Sequence, residues 1–514
     1  MAKIFRKFNE MLHQGGYDQA HVKVVPWDHP VGNRVKYLFR KQRGVNLGSW
    51  FALESWLTGS LFKNAKEPSS CDIDLVKGMK PDDAKALLED HWDNFINDGD
   101  WSWMKAHGIN SVRIPILYPH FLAGNPKHKK LLKGTEYGPY DFVYEGAWKR
   151  IVKAIEKARS LNIGVLIDVH GVPGGQNGDS HCGKSDGNAG FWHGSHASSN
   201  RKVTIKILVA LAEAISCFEN VIGLELMNEP QNHNALESFY AEAIKSIRCS
   251  SKPDAASMPL YVGDAWDTNH YTHYVGKHTS CDNPLVVDHH LYRCFTPNDH
   301  KTTAAAHANH LDVEHHGKTA VWLEHMANNA KNSIIIGEWS GALNPGSFQG
   351  CNGKLEARKQ WSLAQWRAFE KLTAGYYYWT LKKEGGPDPG WCLYTAIEKG
   401  SMPPSLNPLD DTHVDLNLLK IEGEKCREQG YMKHVKYWDN KGGHFDHEQY
   451  NAGFKVGWFD ALDFLADGAE IGLPFQLVQY RIKSYRKDHD HKFIWEFEHG
   501  YTQALNAFRR VLYA

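Results

Sequence analysis

The chain has 514 residues, of which 42% are hydrophobic and 23% are charged, as in an ordinary folded globular protein. Its 59 Lys and Arg residues balance its 59 Asp and Glu residues, and this zero net charge argues against nucleic acid or an anionic membrane as a partner. The length allows two domains, although a single barrel with long insertions also reaches it.

Targeting signals are scarce in the sequence. The first ten residues carry a charge every few positions and lack the apolar run of a signal peptide, and no stretch predicts a transmembrane segment. The nine cysteines are scattered without a C-x-x-C pair, so neither a disulfide framework nor a zinc site is predicted. No Asn begins an N-glycosylation sequon. We therefore expect a cytoplasmic protein.

Eight apolar segments along the chain have the character of buried strands. Residues 1–42 precede them as a polar, partly basic N-terminal lead-in. The predicted strands span 43–51, 111–116, 163–170, 221–230, 260–264, 285–292, 333–340 and 375–381. Helical patterns between them give eight strand-to-helix alternations in about 340 residues, which predicts an α/β fold, a (β/α)8 TIM barrel within residues 43–514. A Rossmann-type sheet competes, but no G-x-G-x-x-G motif stands at a strand-to-helix turn.

Two long polar segments interrupt this pattern. Residues 171–200 are rich in Gly, Ser, Asn and His and are predicted to form a functional loop, in which the Phe191-Trp192 pair is a candidate cleft lining. Residues 383–490 are interpreted as a large insertion on the catalytic face, with 493–512 as the last outer helix. A separate C-terminal domain is the alternative. The Asp488-His489-Asp490-His491 run is interpreted as a solvated loop rather than a metal site.

Two predicted strands each deliver a carboxylate at the C-terminal end, Glu229 on the fourth strand and Glu338 on the seventh. Barrel enzymes assemble their active sites from such strand ends. The other polar or aromatic residues at predicted strand ends are Arg113, His170, Asn228, His290, Tyr292 and Trp379.

A facing pair of carboxylates suits glycoside hydrolysis, with retention of configuration at a separation of about 5 to 5.5 Å. Arg113, if it lies beside Glu338, favours the ionised form of that carboxylate and makes it the nucleophile. Glu229 is then the acid, and the neighbouring negative charge is expected to keep it protonated.

Motifs across residues 43–395 resemble glycoside hydrolase family 5, and within it the fungal exo-β-1,3-glucanase branch. The matching stretches are Gly44-Val45-Asn46-Leu47-Gly48-Ser49-Trp50, Val112-Arg113-Ile114-Pro115, Asp168-Val169-His170-Gly171, Met227-Asn228-Glu229-Pro230, His289-His290-Leu291-Tyr292, Gly337-Glu338-Trp339-Ser340 and Tyr378-Trp379-Thr380. The resemblance implies that Glu229 is the acid/base and Glu338 the nucleophile. It also implies that Arg113, His170, Asn228, His290 and Tyr292 shape the sugar subsite, above Trp379 as a platform. Glu54 and Asp179 are expected to hold the hydroxyls of a terminal glucose.

Three positions depart from the family pattern. Ser49 replaces a Gly, and Ser55 follows Glu54 where a Pro is usual. The Phe that normally precedes Asp179 is missing, so Phe295 supplies only half of an aromatic clamp for the next sugar.

The sequence thus predicts a retaining β-glycoside hydrolase that cleaves terminal β-glucosidic bonds without a metal or organic cofactor. Its expected substrate is a β-glucan, an oligosaccharide or a β-glucoside. One alternative substrate is a glucosylated lipid, either a sterol glucoside or glucosylceramide. An apolar rim formed by residues 454–478 would favour the lipid, whereas an open groove lined by Trp and Tyr would favour a glucan. A non-catalytic glycan-binding barrel is the other alternative.

Overall fold

A closed barrel of eight parallel strands forms the centre of the fold, in the order β1 to β8. The computed structural model describes residues 26–410, 414–489 and 492–513, so residues 1–25 of the lead-in and two positions of the Asp488–His491 run lie outside the described residues. The strands are β1 Gln42–Asn46, β2 Ser111–Leu117, β3 Gly164–Gly171, β4 Val221–Glu225, β5 Leu260–Gly263, β6 Leu285–Arg293, β7 Ile334–Leu343 and β8 Gly375–Tyr378. The predicted (β/α)8 barrel is confirmed.

Helices lie before the first strand, between the strands and beyond the last one. In the described part of the chain they are α1 Asn33–Phe39, α2 Asp72–Gly78, α3 Pro81–Asn94, α4 Asp98–Ala106, α5 Tyr118–Leu122, α6 Asp141–Tyr144, α7 Ala147–Ser160, α8 Ala197–Ile215, α9 Leu236–Arg248, α10 Pro253–Ala256, α11 Thr268–His278, α12 Pro297–Lys301, α13 Ala304–His310, α14 Lys318–Asn329, α15 Lys354–Leu372, α16 Leu393–Glu398, α17 Leu416–Asp439, α18 His447–Ala466, α19 Pro474–Tyr485 and α20 Ile494–Leu512. No helix among the described residues combines the length and apolar character needed to span a membrane.

Both faces of the strands are buried, which explains their nearly continuous apolar sequences. On β7, Ile334 and Ile336 belong to the large core shared with the surrounding helices, whereas Ile335 between them belongs to a second core. Strand residues alternate between the two faces. The second core is therefore the inner layer of the barrel, near the N-terminal ends of the strands.

The last four helices, α17 to α20, form a C-terminal helical unit (residues 416–512) that packs on this inner layer. Leu166 of β3 and Tyr377 of β8 share one apolar core with Phe454 and Phe497 of the unit. The backbone N–H of Lys41, next to β1, donates to the carbonyl of Glu470 at 2.7 Å. The unit thus covers the N-terminal end of the barrel, opposite the strand ends that carry the predicted active site.

Close helix packing holds this unit together. A Cβ on Gly453 of α18 would lie 2.0 Å from the carbonyl oxygen of Phe497, and a Cβ on Gly500 of α20 would lie 2.0 Å from that of Tyr450. Only glycine allows the two helices to approach this closely.

The interpretation of residues 383–490 as an insertion on the catalytic face is therefore wrong for its larger part. The apolar residues of 454–478 pack on the barrel interior at the N-terminal ends of the strands, opposite the catalytic face. The outer helices do not cover this end. Residues 493–512 are not the last outer helix either, because α20 packs within the C-terminal helical unit and the short α16 follows β8. The separate C-terminal domain, the alternative interpretation, agrees with this arrangement.

Candidate active site

Arg113 of β2 lies at the centre of the strand ends and is fully buried. Its Nη1 donates to Oε1 of Glu338 at 3.0 Å, and its Nη2 donates to Oδ1 of Asn228 at 2.7 Å. Its Nε donates to Oε2 of Glu225 at 2.7 Å, and Asp168 lies 3.1 Å from Nη2. One guanidinium on strand two thus orients groups on strands three and seven and at the end of strand four.

More carboxylates surround Arg113 than one guanidinium can neutralise. Burial raises the pKa of Asp168 to about 7, although Arg113 lies beside it. Burial also raises the pKa of Glu225 well above its ordinary value. Both groups are fully buried, so their charged forms are poorly solvated.

Glu229 and Glu338 face each other across His290. The cluster of these three residues brings one carboxylate oxygen from each Glu within 4.8 Å of the other. Nδ1 of His290 lies 2.7 Å from Oε1 of Glu229 and 3.5 Å from Oε2 of Glu338. The hydroxyl of Tyr292 donates to Oε2 of Glu338 at 2.9 Å. Glu229 has a φ of +40°, in the region that favours glycine, and such backbone strain is concentrated at functional sites.

The protonation of this pair differs from the sequence-based expectation. Burial alone would raise the pKa of Glu229, but the hydrogen bond from His290 and the charges of His290 and His181 lower the pKa to about 2. The neighbouring carboxylates outweigh burial and hold the pKa of His290 well above its ordinary value. Burial raises the pKa of Glu338, and the charges of His290 and Arg113 offset part of that rise. These opposite shifts favour a proton on His290 over one on Glu229, whereas the sequence predicts a protonated Glu229.

His170 and Trp379 line the floor of the site. Their rings are nearly parallel, with an interplanar angle of 6° and centroids 5.8 Å apart. Nδ1 of His170 lies 2.6 Å from Asp168, and burial lowers the pKa of His170 well below its ordinary value. A neutral imidazole thus stands beside the indole that the sequence predicts as a sugar platform.

Glu54 and Asp179 lie at the side of the same cleft. Trp56 Nε1 donates to Oε2 of Glu54 at 2.8 Å, whereas Oε1 is buried with no hydrogen-bond partner among the described residues. Burial raises the pKa of Glu54 to about 7. Asp179 is exposed. Glu54 thus lines the cleft with a carboxyl group that Trp56 holds in place.

Aromatic rings form much of the wall of this cleft, whose volume is about 1100 Å³. Phe295 is 67% exposed, and its ring centroid lies 5.7 Å from that of Tyr292 and 6.2 Å from that of Trp391. Trp266, 58% exposed, belongs to the same cleft. The Phe191-Trp192 pair, by contrast, is buried against Phe239 and does not line the cleft.

Several cleft residues were not identified from the sequence, among them His181, Trp266 and Trp391. His181 lies in the loop after β3, with Nε2 3.3 Å from Oε2 of Glu229. Trp266 and Trp391 follow β5 and β8. Their only sequence signal is their place in loops after barrel strands, where catalytic residues of this fold are found.

A family model for cellulases of glycosyl hydrolase family 5 matches residues 84–385, more than half of the chain. The chain belongs to glycosyl hydrolase family 5. It is a glycoside hydrolase, and the two strand-end carboxylates occupy the face on which barrel enzymes carry their chemistry. A second model, the C-terminal domain of glucan 1,3-beta-glucosidase 3, matches residues 419–512, which is nearly the whole C-terminal helical unit.

Two curated relatives match nearly the full length of this chain. Glucan 1,3-beta-glucosidase 3 of Schizosaccharomyces pombe is 33% identical over 477 residues, 91% of this chain and 95% of the relative. An uncharacterized glycosyl hydrolase of Saccharomyces cerevisiae is 30% identical over 493 residues, 92% of each chain. The crystal structure of rutinosidase from Aspergillus niger has a similar fold, with a TM-score of 0.53 and 18% identity over 71% of this chain and 99% of that one.

Proposed function

We propose that the protein is a retaining, exo-acting β-glucanase that removes terminal glucose from β-1,3-linked glucan and its oligosaccharides. The observation that carries the proposal is the approach of the two carboxylates, with one oxygen of Glu229 and one of Glu338 within 4.8 Å. Retaining glycosidases hold their carboxyl groups about 5 to 5.5 Å apart, whereas inverting enzymes leave about 6.5 to 9.5 Å for a water molecule.

In the first step, Glu338 attacks the anomeric carbon of the terminal glucose and forms a glycosyl ester, while the glucan oxygen leaves with a proton. Arg113 and Tyr292 each donate a hydrogen bond to Glu338, which stabilises its ionised form and directs its oxygens. Asn228 is held by Arg113 and is oriented toward the same sugar. These contacts favour the nucleophile role of Glu338.

The leaving oxygen takes its proton from the pair of Glu229 and His290. Their 2.7 Å hydrogen bond allows the proton on Nδ1 to move to Glu229, which turns an ion pair into a neutral pair. Sugar binding removes water from the cleft and so favours the neutral pair. Nε2 of His290 lies 3.4 Å from Asp288, which keeps the second ring proton in place. In the second step Glu229 takes a proton from water, which attacks the ester and releases glucose with its configuration retained.

The exo action rests on Glu54. Its carboxyl group on the cleft wall and its contact with Trp56 provide a polar stop for the hydroxyls of a terminal glucose. On the side of the leaving group, Phe295, Trp266 and Trp391 offer flat rings on which further sugar units stack. The relative in Schizosaccharomyces pombe, which is named a glucan 1,3-beta-glucosidase, supports the β-1,3 linkage.

A lipid aglycone is less well supported. The apolar residues that would have formed its rim, 454–478, contribute to the core at the opposite end of the barrel. The exposed rings of the cleft are flat and partly polar, which suits a chain of sugars better than a sterol or ceramide.

We also propose that the protein works in a reducing compartment, the cytoplasm. Nine cysteines, of which Cys217 and Cys249 are exposed, are all free thiols. The test is fractionation of cells that express the protein with a tag at its N-terminus or at its C-terminus. Recovery of the protein only in the secreted fraction would contradict the assignment.

The first test of the activity is the intact mass after incubation with 2-deoxy-2-fluoro-β-glucosyl fluoride, followed by peptide mapping. The expected result is one added fluoroglucosyl group on Glu338, because the fluorine destabilises the transition state that would release it. A label on another residue would disprove the assigned nucleophile. Glucose released from a β-1,3-glucan should first appear as the β anomer in proton NMR.

Paired variants separate the two carboxylates. Glu229→Gln should lower kcat/KM, which reports the first step, by about 10²- to 10⁴-fold on a glucan, and much less on a glucoside with an activated aryl leaving group that needs no protonation. Glu338→Gln should lose activity on both substrates. Equal losses in the Glu229 variant for both substrates would exclude its role as the acid.

A further inference from the structure

A second cluster of ionisable residues lies in the C-terminal helical unit, away from the catalytic face. His434 lies on α17, His447 begins α18 and Glu496 lies in the first turn of α20. His434 and Glu496 are buried, with side chains 1% and 0% exposed, whereas His447 is 15% exposed. Three separate helices thus direct side chains that commonly bind metals to one point.

The donor atoms of this cluster converge. Oε2 of Glu496 lies 2.8 Å from Nε2 of His434 and 2.9 Å from Nδ1 of His447, and all three atoms lie within 4.8 Å of one another. Donor atoms around a tetrahedral zinc ion are separated by roughly 3.3 Å, given metal-ligand distances of about 2.0 to 2.1 Å. Side-chain shifts of a few tenths of an ångström would therefore admit an ion between them.

The groups behind these donors have the arrangement of a metal site. The other ring nitrogen of His447, Nε2, lies 3.1 Å from Oδ1 of Asp439. The other ring nitrogen of His434, Nδ1, lies 3.1 Å from Nδ1 of His499. Histidines that bind metals usually donate their second N–H to such a partner, which fixes the tautomer and the direction of the free lone pair.

Glu496 is fixed in the same way. The backbone N–H of Asp446 donates to Oε1 at 2.9 Å, so that Oε2 alone faces the two imidazoles. A single carboxylate oxygen and two ring nitrogens are thereby presented from a rigid frame.

We propose that His434, His447 and Glu496 bind one zinc ion that joins α17, α18 and α20. Two imidazole nitrogens and one carboxylate oxygen form a donor set that Zn²⁺ accepts, with water as the fourth ligand from the exposed side of His447. The ion replaces the protons that now lie between the imidazoles and Glu496. Its role is structural, because it lies in the unit that covers the N-terminal end of the barrel.

The test is the metal content of the full-length chain after removal of any purification tag, exposure to Zn²⁺ and extensive washing, measured by inductively coupled plasma mass spectrometry. One zinc per chain is expected. The zinc content of His447→Gln should be at least about tenfold lower, because the Gln amide can still contact Glu496 but cannot replace the imidazole nitrogen as a zinc ligand. His444→Gln, at an exposed position three residues away, is the matched control and should keep it. Asp439→Asn should weaken zinc affinity by about 10- to 100-fold.

The active site contains its own Glu-His-Glu set, so Glu338→Gln serves as a second control and should also keep the zinc. A chelator should lower the thermal unfolding midpoint of the unmodified protein and leave that of His447→Gln unchanged. Because the first of these measurements needs no variant, it tests the proposal even if His447→Gln folds poorly. The proposal is overturned if the unmodified chain binds no zinc, if His447→Gln keeps it, or if only Glu338→Gln loses it.

Discussion

His181 and Glu229 form a contact at the entrance to the site, with Nε2 of the imidazole 3.3 Å from Oε2 of the carboxylate. His290 lies on the other oxygen at 2.7 Å, so the acid/base stands between two imidazoles. Burial lowers the pKa of His181, but the charges of Glu229 and Glu54 outweigh burial and raise it above its ordinary value. We infer that His181 adjusts the acidity of Glu229 from the loop in which the family pattern has a Phe.

Replacement of His181 by Ala should move the basic limb of the kcat/KM profile to higher pH. A positive neighbour lowers the pKa of a carboxylic acid, so its removal makes the proton of the Glu229 pair harder to lose. The measurement is the pH dependence of kcat/KM on a β-glucoside for both proteins. His315→Ala, at a position 81% exposed, is the control and should leave the profile unchanged. A lower rate with an unmoved profile would show that His181 acts only through the shape of the cleft.

The barrel and its two carboxylates could be predicted because each depends on local sequence. The segments that became β4 and β7 are apolar because both faces are buried, and Glu229 and Glu338 stand where those runs end. The count of eight strand-to-helix alternations then predicted that the sheet closes into a barrel.

The C-terminal helices could not be placed in this way, because helical periodicity does not reveal which surface an apolar face covers. Phe454 and Phe497 cover the inner layer of the barrel, a contact between residues far apart in the chain. The contact between His181 and Glu229 was missed for the same reason. The loop that carries His181 has no periodicity, and only the fold brings it to the end of β4.

Glucose binding should strengthen as the pH rises through about 7, and Glu54 should be the cause. Burial raises the pKa of this carboxyl to about 7, so it is neutral below that value and ionised above it. An ionised carboxylate accepts stronger hydrogen bonds from sugar hydroxyls, and the difference of about 1 kcal/mol corresponds to about fivefold in affinity. The measurement is the inhibition constant of glucose between pH 5.5 and 8.5.

Glu54→Gln should remove this dependence and bind glucose with the weaker affinity at every pH. Glu384→Gln, which changes an exposed carboxylate hydrogen-bonded to Ser60, is the matched control and should keep the dependence. If the inhibition constant of glucose still depends on pH in the Glu54 variant, another group of the cleft is responsible.

Asp460→Asn should destabilise the protein by about 3 to 5 kcal/mol, because it leaves a buried guanidinium without its charged partner. Asp460 and Arg481 are both fully buried in the C-terminal helical unit, and the hydroxyl of Tyr501 also donates to Asp460 at 2.7 Å. The measurement is the free energy of unfolding in urea. The surface pair of Lys483, which is partly buried, and Asp282 gives the comparison, since Lys483→Met should cost less than about 1 kcal/mol. Equal costs would mean that the buried pair contributes no more than a surface pair.

Phe295→Ala should weaken the use of oligosaccharides selectively. Its ring is 67% exposed beside Tyr292 and Trp391, so its removal deletes a surface on which a second sugar stacks while the groups around Glu338 stay in place. A loss of about 1 kcal/mol in stacking corresponds to about a fivefold lower kcat/KM for a β-1,3-linked glucose trimer. Methyl β-glucoside, which offers no second sugar, should be hydrolysed at an unchanged kcat/KM. Phe142→Ala, which removes another exposed ring outside the cleft, is the matched control. Equal losses on both substrates would assign Phe295 to the architecture of the site, and no loss on the trimer would exclude it from the path of the glucan.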